Sequence, residues 1–212
     1  MRILERAMLS SIVRQYVLLF AAALIVSACT TSGTTRPPQV ETRDESGFTI
    51  TEEVVVSDAM RSDFESAVRL LEQEEYESGI ALLLEVTAAA PQVTTAHLDL
   101  GIAYGRVNDL ERAEASIKRA LDLNPHHPVA HNELGILYRR SGRFKKARKS
   151  YEKALAAHPD FHFARRNLAI LCDVYLLDPD CAMKHYELYT QAVPSDEAAA
   201  MWKADLRNRV GK

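Results

Sequence analysis

A chain of 212 residues, 47% hydrophobic and 26% charged, suits one or two folded domains and is too apolar to be disordered throughout. Aromatics make up only 7% while Ala and Leu abound, which leans towards helix. A formal net charge of −3 offers nothing for nucleic acid.

Arg2, Arg6 and Arg14 form a basic start, and Tyr16 to Val26 (YVLLFAAALIV) is an apolar run of 11 residues. That run is too short to span a bilayer as a finished helix and fits the h-region of a secretory signal. Val26-Ser27-Ala28-Cys29 then resembles the bacterial lipobox, with Val where Leu is commoner. The resemblance implies a signal peptide over 1–28 and lipidation of Cys29; Thr30 rather than Asp after it implies retention at the outer membrane. Several acyl chains on one residue hold a protein to a membrane far more firmly than one. The alternative is an uncleaved anchor with an incidental cysteine. Removing residues 1–28 takes the formal charge to −5. Residues 29–57 are rich in Ser, Thr, Gly, Pro and Glu with no helical period, and read as a lipidated, flexible tether. Within it, Phe48-Thr49-Ile50 and Val54-Val55-Val56 are the runs able to pair briefly or to dock on the first helices.

From residue 58 onward the chain is periodic. Leu134, Gly135, Tyr138, Ala147, Tyr151, Ala154 and Pro159 are matched 34 residues earlier by Leu100, Gly101, Tyr104, Ala113, Ile117, Ala120 and Pro125. This pattern resembles the tetratricopeptide repeat, a helix–turn–helix unit. The resemblance implies an all-α superhelix of about four units and a cap. The units are a degenerate one at 58–93, clear ones at 94–127 and 128–161, a degenerate one at 162–194, and a capping helix over 195–212. Helices are expected near 58–72, 75–89, 94–107, 110–123, 128–141 and 144–157. Asn-Pro at 124–125 and His-Pro at 158–159 end second helices, since a residue before Pro avoids the helical region. The fourth unit has Leu168 and Ala169 where Leu and Gly are expected and Cys172 in place of Tyr. Its second helix is displaced by one residue, so its turn near Leu177-Asp178-Pro179-Asp180 is expected to be one residue longer. Ser195-Asp196-Glu197 supplies a helix start for the cap, whose Ala199, Trp202 and Leu206 alternate with charges.

In that repeat geometry Cys172 lies late on one helix and Cys181 early on the antiparallel next. They face across the hairpin as a candidate disulfide closing a loop of about ten residues; two buried thiols are the alternative. His97 and His131 occupy one repeat slot and read as partly exposed packing residues, and His126-His127 sit in a turn before Pro128. No zinc-ligand spacing, nucleophile elbow, phosphate loop or paired carboxylates stand out, so neither cofactor, metal nor enzymatic activity is expected.

The repeat family lines an inner groove with the first helix of each unit. Its expected exposed positions here are Ile102, Ile136 and Ile170, a ladder at the 34-residue step. Around them fall Leu98, Asp99, Arg106, Asn132, Glu133, Arg139, Arg140, Phe163, Arg166 and Asn167. Apolar rungs flanked by Arg and Asn suit a bound peptide; equally, the isoleucines can simply pack between helices. Leu98 and Ile102 take the slots of the carboxylate clamp found in chaperone-tail receptors, which disfavours that role. A basic run (Arg139, Arg140, Arg143, Lys145, Lys146, Arg148, Lys149, Lys153) contrasts with an acidic first unit (Asp63, Glu65, Glu72, Glu74, Glu75, Glu77). It is either a solvated face or a surface for an acidic partner, an anionic membrane, or a second copy in a homodimer.

Lipobox and repeats together are similar to the lipoprotein pilotins of type IV pili and related repeat lipoproteins of Tad-type pili. That implies a non-catalytic periplasmic scaffold, anchored to the outer membrane, whose partners are envelope proteins or their peptide segments in a pilus or secretin system. An adaptor for peptidoglycan synthases or hydrolases, and a peptide- or solute-binding lipoprotein, are the alternatives.

Overall fold

The computed structural model describes residues 39–43, 47–51 and 56–211, with side chains from residue 56 onward. The signal peptide over 1–28 and the lipidation site Cys29 lie outside the described residues.

The N-terminal unit contains a two-stranded antiparallel hairpin, β1 (Gln39–Arg43) and β2 (Gly47–Thr51), with Gln39 opposite Thr51 and Arg43 opposite Gly47. These strands fall within the segment expected to be a flexible tether whose short apolar runs can pair. Phe48-Thr49-Ile50 lies in β2 and pairs with 40–42, while Val54 and Val55 lie outside the described residues. Both five-residue runs alternate β-branched or aromatic residues with polar ones, the composition a pleated strand favours.

The second unit is helical. Its elements are α1 (Asp58–Glu72), α2 (Tyr76–Ala89), α3 (Thr94–Arg106), α4 (Leu110–Leu123), α5 (Pro128–Arg140), α6 (Phe144–Ala157) and α7 (His162–Ile170). A π-helical turn over Leu171–Tyr175, α8 (Pro179–Ala192) and α9 (Glu197–Val210) complete it. None of the described helices is long and apolar enough to cross a membrane.

Helix starts follow capping chemistry. Ser57, Asp109, Asp178 and Asp196 each accept a backbone N–H three residues on, and His127 does so through Nδ1, 3.2 Å from the Ala130 nitrogen. Pro128 and Pro179 occupy first-turn positions, where a missing N–H costs nothing. Asn124 and His158, each preceding a proline, terminate α4 and α6.

Small residues set how closely the helices approach. Ala113, Ala120, Ala147, Ala154, Ala164 and Ala182 are fully buried, and Tyr104, Tyr138, Tyr151 and Tyr186 fill the space between successive helices. An added Cβ on Gly135 would stand 2.4 Å from the Tyr151 ring, and one on Gly101 2.5 Å from Ile117 Cγ1. A recurring tie closes the turn between units. Nε2 of His97 lies 3.1 Å from the Pro91 carbonyl and Nε2 of His131 2.8 Å from that of Pro125, and Arg165 donates to that of Pro159. The shared slot is therefore structural. His97 is half-buried as expected, but His131 is only 6% exposed, a correction to the reading of both as partly exposed.

The turn inside each unit repeats too. An N–H donates back over five residues in Glu75→Leu70, Asp109→Tyr104 and Arg143→Tyr138, just after a left-handed residue at Glu74, Asn108 or Gly142. In the fourth unit the left-handed residue is Leu177, and the bond from Asp178 to Cys172 spans six. The extra residue is therefore not in the turn, as the sequence led us to expect, but upstream. It is accommodated by widening the end of the first helix into the Leu171–Tyr175 π turn.

Candidate functional site: the inner face and its C-terminal cleft

Successive first helices (α1, α3, α5 and α7) pack on one another more closely than successive second helices do, so they form the inner side of the array. The expected ladder lies there. Ile102, Ile136 and Ile170 are each half-buried and packed against the core. Two neighbours depart from expectation: Leu98 is 5% and Asn132 3% exposed, so neither presents a side chain to a partner. The next unit covers Asn132. Asn167 Nδ2 donates to Asn132 Oδ1 at 3.0 Å, and Asn132 Nδ2 donates to Glu133 at 3.3 Å.

The arginines are engaged within the array as well. Arg140 donates to the Gly105 carbonyl (2.7 Å) and to Asn108 (3.0 Å), stitching the second unit to the third. Arg139 lies over the Tyr175 ring at 5.9 Å, and Arg166 over the Trp202 ring at 5.3 Å with Asp196 3.4 Å away. Arg106 is exposed, and Phe163 is exposed with its ring edge-on to Phe161. The inner face along α3 and α5 is thus largely satisfied.

At the C-terminal end it is not. Ile170 opens into a cleft of about 480 Å³ lined by Asp173, Val174, Leu177, Tyr186, Trp202, Asp205 and Arg209. Val174 is 59% and Leu177 78% exposed, and Trp202 lies at the rim. Beside them runs a polar strip. Arg209 donates to Asp173 at 2.7 Å and to Asp205 at 2.8 Å, and the Tyr186 hydroxyl donates to Asp173 at 3.4 Å. Burial and the neighbouring Asp173 carboxylate push the Tyr186 phenol well above its ordinary range, so it stays a donor at any physiological pH. Apolar walls beside a fixed guanidinium–carboxylate pair can hold an apolar peptide stretch and orient its backbone. Of this cleft only Ile170 was expected from the sequence. The signal for the rest was the one-residue slip in the fourth unit, which aims Val174 and Leu177 outward.

Cys172 and Cys181 are joined as a disulfide, with Cα atoms 5.8 Å apart, and tie the π turn to the start of α8. Among the described residues no group of three or more His, Cys, Asp or Glu is placed to hold a metal ion. The histidines near 126–131 have structural roles: His127 caps α5, and burial with His131 nearby lowers its pKa to about 4, keeping it neutral.

The basic run divides in two. Arg143 pairs with Glu114 at 2.6 Å, joined by Lys118 at 2.7 Å and the Tyr138 hydroxyl at 3.1 Å. Burial works to raise the Glu114 pKa, but these three donors outweigh it and hold it at about 2. Arg148 pairs with Glu152 and Asp178. Lys145, Lys149 and Lys153 project into solvent along α6 and form no ion pair among the described residues.

The tetratricopeptide repeat model matches residues 64–128, 98–162 and 132–172, together just over half of the chain, and the chain belongs to that family. No curated protein gives a match. Among solved structures, MamA 41-end from Desulfovibrio magneticus RS-1 is similar at 18% identity and TM-score 0.66, covering 74% of this chain and 88% of that one. PilF of Pseudomonas aeruginosa is similar at 17% identity and TM-score 0.66, covering 72% and 69%. The thermophilic tetratricopeptide protein TTC0263 of Thermus thermophilus follows at 23% identity and TM-score 0.60, covering 69% and 80%. At these identities the likeness is one of fold, and the fold is that of a protein–protein interaction scaffold.

Proposed function

We propose that this chain is a non-catalytic scaffold at the periplasmic face of the outer membrane, anchored through a lipid on Cys29. Its C-terminal cleft takes an apolar peptide segment of an envelope protein, in a pilus or secretin system. The observation that carries the reading is the cleft itself: Val174, Leu177 and Trp202 stand exposed together around it, whereas the inner face along α3 and α5 is largely satisfied by its own side chains. The anchoring rests on the basic start, the apolar run and Val26-Ser27-Ala28-Cys29. The pilus assignment rests on the combination of lipobox and repeats, and the fold of PilF is in keeping with it.

Photocrosslinking in cells tests this, with the crosslinker placed at Val174 or, as a control on another face, at Lys118. A pilus or secretin component joined from Val174 but not from Lys118, and lost on Trp202→Ala, is the expected result. Peptidoglycan synthases or hydrolases as the products would assign the scaffold to cell-wall growth instead. Equal adducts from both positions would remove the cleft as the binding site. Independently, Cys29→Ser should release the protein from the outer-membrane fraction.

A further inference from the structure

The repeat slots place opposite charges on one and the same edge of the array. On α2 the positions Glu77, Ala81 and Glu85 form an outward stripe, each four residues from the last and so on one helix face. The same slots two units later, on α6, hold Lys145, Lys149 and Lys153. All six residues are exposed, and the five charged ones form no ion pair among the described residues. The contrast extends beyond the stripes. Residues 58–93 carry eight acidic side chains against two basic, and residues 128–161 eight basic against three acidic. A merely solvated face mixes its signs, as the unit between does: α4 has Glu111, Ala115 and Arg119 in these slots.

We propose that two copies of this chain pair edge to edge along these stripes, with the order of repeats reversed between them. A two-fold axis lying in the contact beside α4 reverses the stacking order while leaving facing helices parallel. Glu77 then meets Lys145, Ala81 meets Lys149 and Glu85 meets Lys153, and the same set recurs on the other side of the axis. Pairing in the unreversed order would set like charges against each other. Because the contact is the same patch on both copies, it closes at two and does not propagate into a filament. The alanine of each acidic stripe leaves room for the longer Lys149. The contact leaves the C-terminal cleft uncovered, so it stands or falls separately from the function proposed above.

The test uses two differently tagged full-length copies, co-expressed, extracted in a neutral detergent and recovered through one tag. The second tag should co-purify at about 50 mM salt and fall roughly tenfold at about 0.5 M, where charges are screened within about 4 Å. Reversing the basic stripe (Lys145→Glu, Lys149→Glu, Lys153→Glu) in both copies should abolish co-purification, as should reversing the acidic one (Glu77→Lys, Glu85→Lys) in both. One copy of each reversed kind should pair again, which shows at once that both variants fold. Absence of wild-type pairing at low salt, pairing indifferent to salt and to either reversal, or failure of the mixed variants to pair would each overturn the proposal.

Discussion

Gly135→Ala tests the packing at its tightest point. The new methyl would stand 2.4 Å from one Tyr151 ring carbon and 2.6 Å from another, where ordinary contact needs more than 3.4 Å. Tyr151 is fully buried and rigid, so it can escape only by displacing α6. Overpacking of this kind costs about 3 kcal/mol, and the helix gains back about 1 kcal/mol when Ala replaces Gly. A net loss of about 2 kcal/mol remains, roughly 4–8 °C in melting temperature for a helical array of this size. Gly105→Ala is the control. Its Cβ meets only Leu137 Cδ2 at 3.5 Å and an arginine terminus at 3.8 Å, so the propensity gain stands alone and stability should rise by about 0.5–1 kcal/mol. Thermal melts followed by far-ultraviolet circular dichroism read both variants on one scale. Gly135→Ala melting at or above the wild type would refute the close approach of α5 to Tyr151.

Other variants probe the turns, the crosslink and the acid limit. Leu177→Gly relieves a leucine held at φ 52° and 78% exposed, and should stabilise the array by about 1 kcal/mol in urea titration. Destabilisation there would mean that Leu177 packs more than its exposure shows. Alkylation without reductant should leave Cys172 and Cys181 unmodified in mass spectrometry; replacing both by Ala should lower stability by about 2–3 kcal/mol through loop entropy. His127 must be neutral to accept the Ala130 N–H, and its pKa is lowered from 6.5 to about 4, by burial first and then by His131. The unfolded chain therefore binds the proton first, and stability should fall by on the order of 3 kcal/mol as pH drops from 6.5 to about 4. His127→Asn, which keeps a capping acceptor, should remove that share and leave the share of His185, whose pKa burial likewise lowers to about 4.

The helices were legible in the sequence because the period is enforced by residues that tolerate no substitute nearby. Gly135 against Tyr151 and the prolines at 125 and 159 fix where each helix lies and ends, and the six helices expected over 58–157 match the structure to within a residue. The site was less legible because exposure is decided between units rather than within one. Asn132 has the polarity of a surface residue, yet Asn167 of the next unit closes over it. Arg139 and Arg166 look free until Tyr175 and Trp202, 36 residues further on in each case, come beneath them. The extra residue of the fourth unit was visible as a displacement. Sequence spacing is the same whether it loops out in the turn or widens the helix, and only the hydrogen bond from Asp178 to Cys172 distinguishes the two.

A perfectly periodic scaffold has no preferred origin: a peptide laid along identical rungs could slide by one unit and lose little. The π turn removes that degeneracy. Beyond it the ladder step becomes 35 residues, so the rung after Ile170 is Asp205, carboxylate in place of hydrocarbon, and both lie in the same cleft. A ligand that follows the isoleucines therefore meets a distinct terminus, with Arg209 beside it, and can be bound in one direction and one frame. One inserted residue gives a repetitive surface an address.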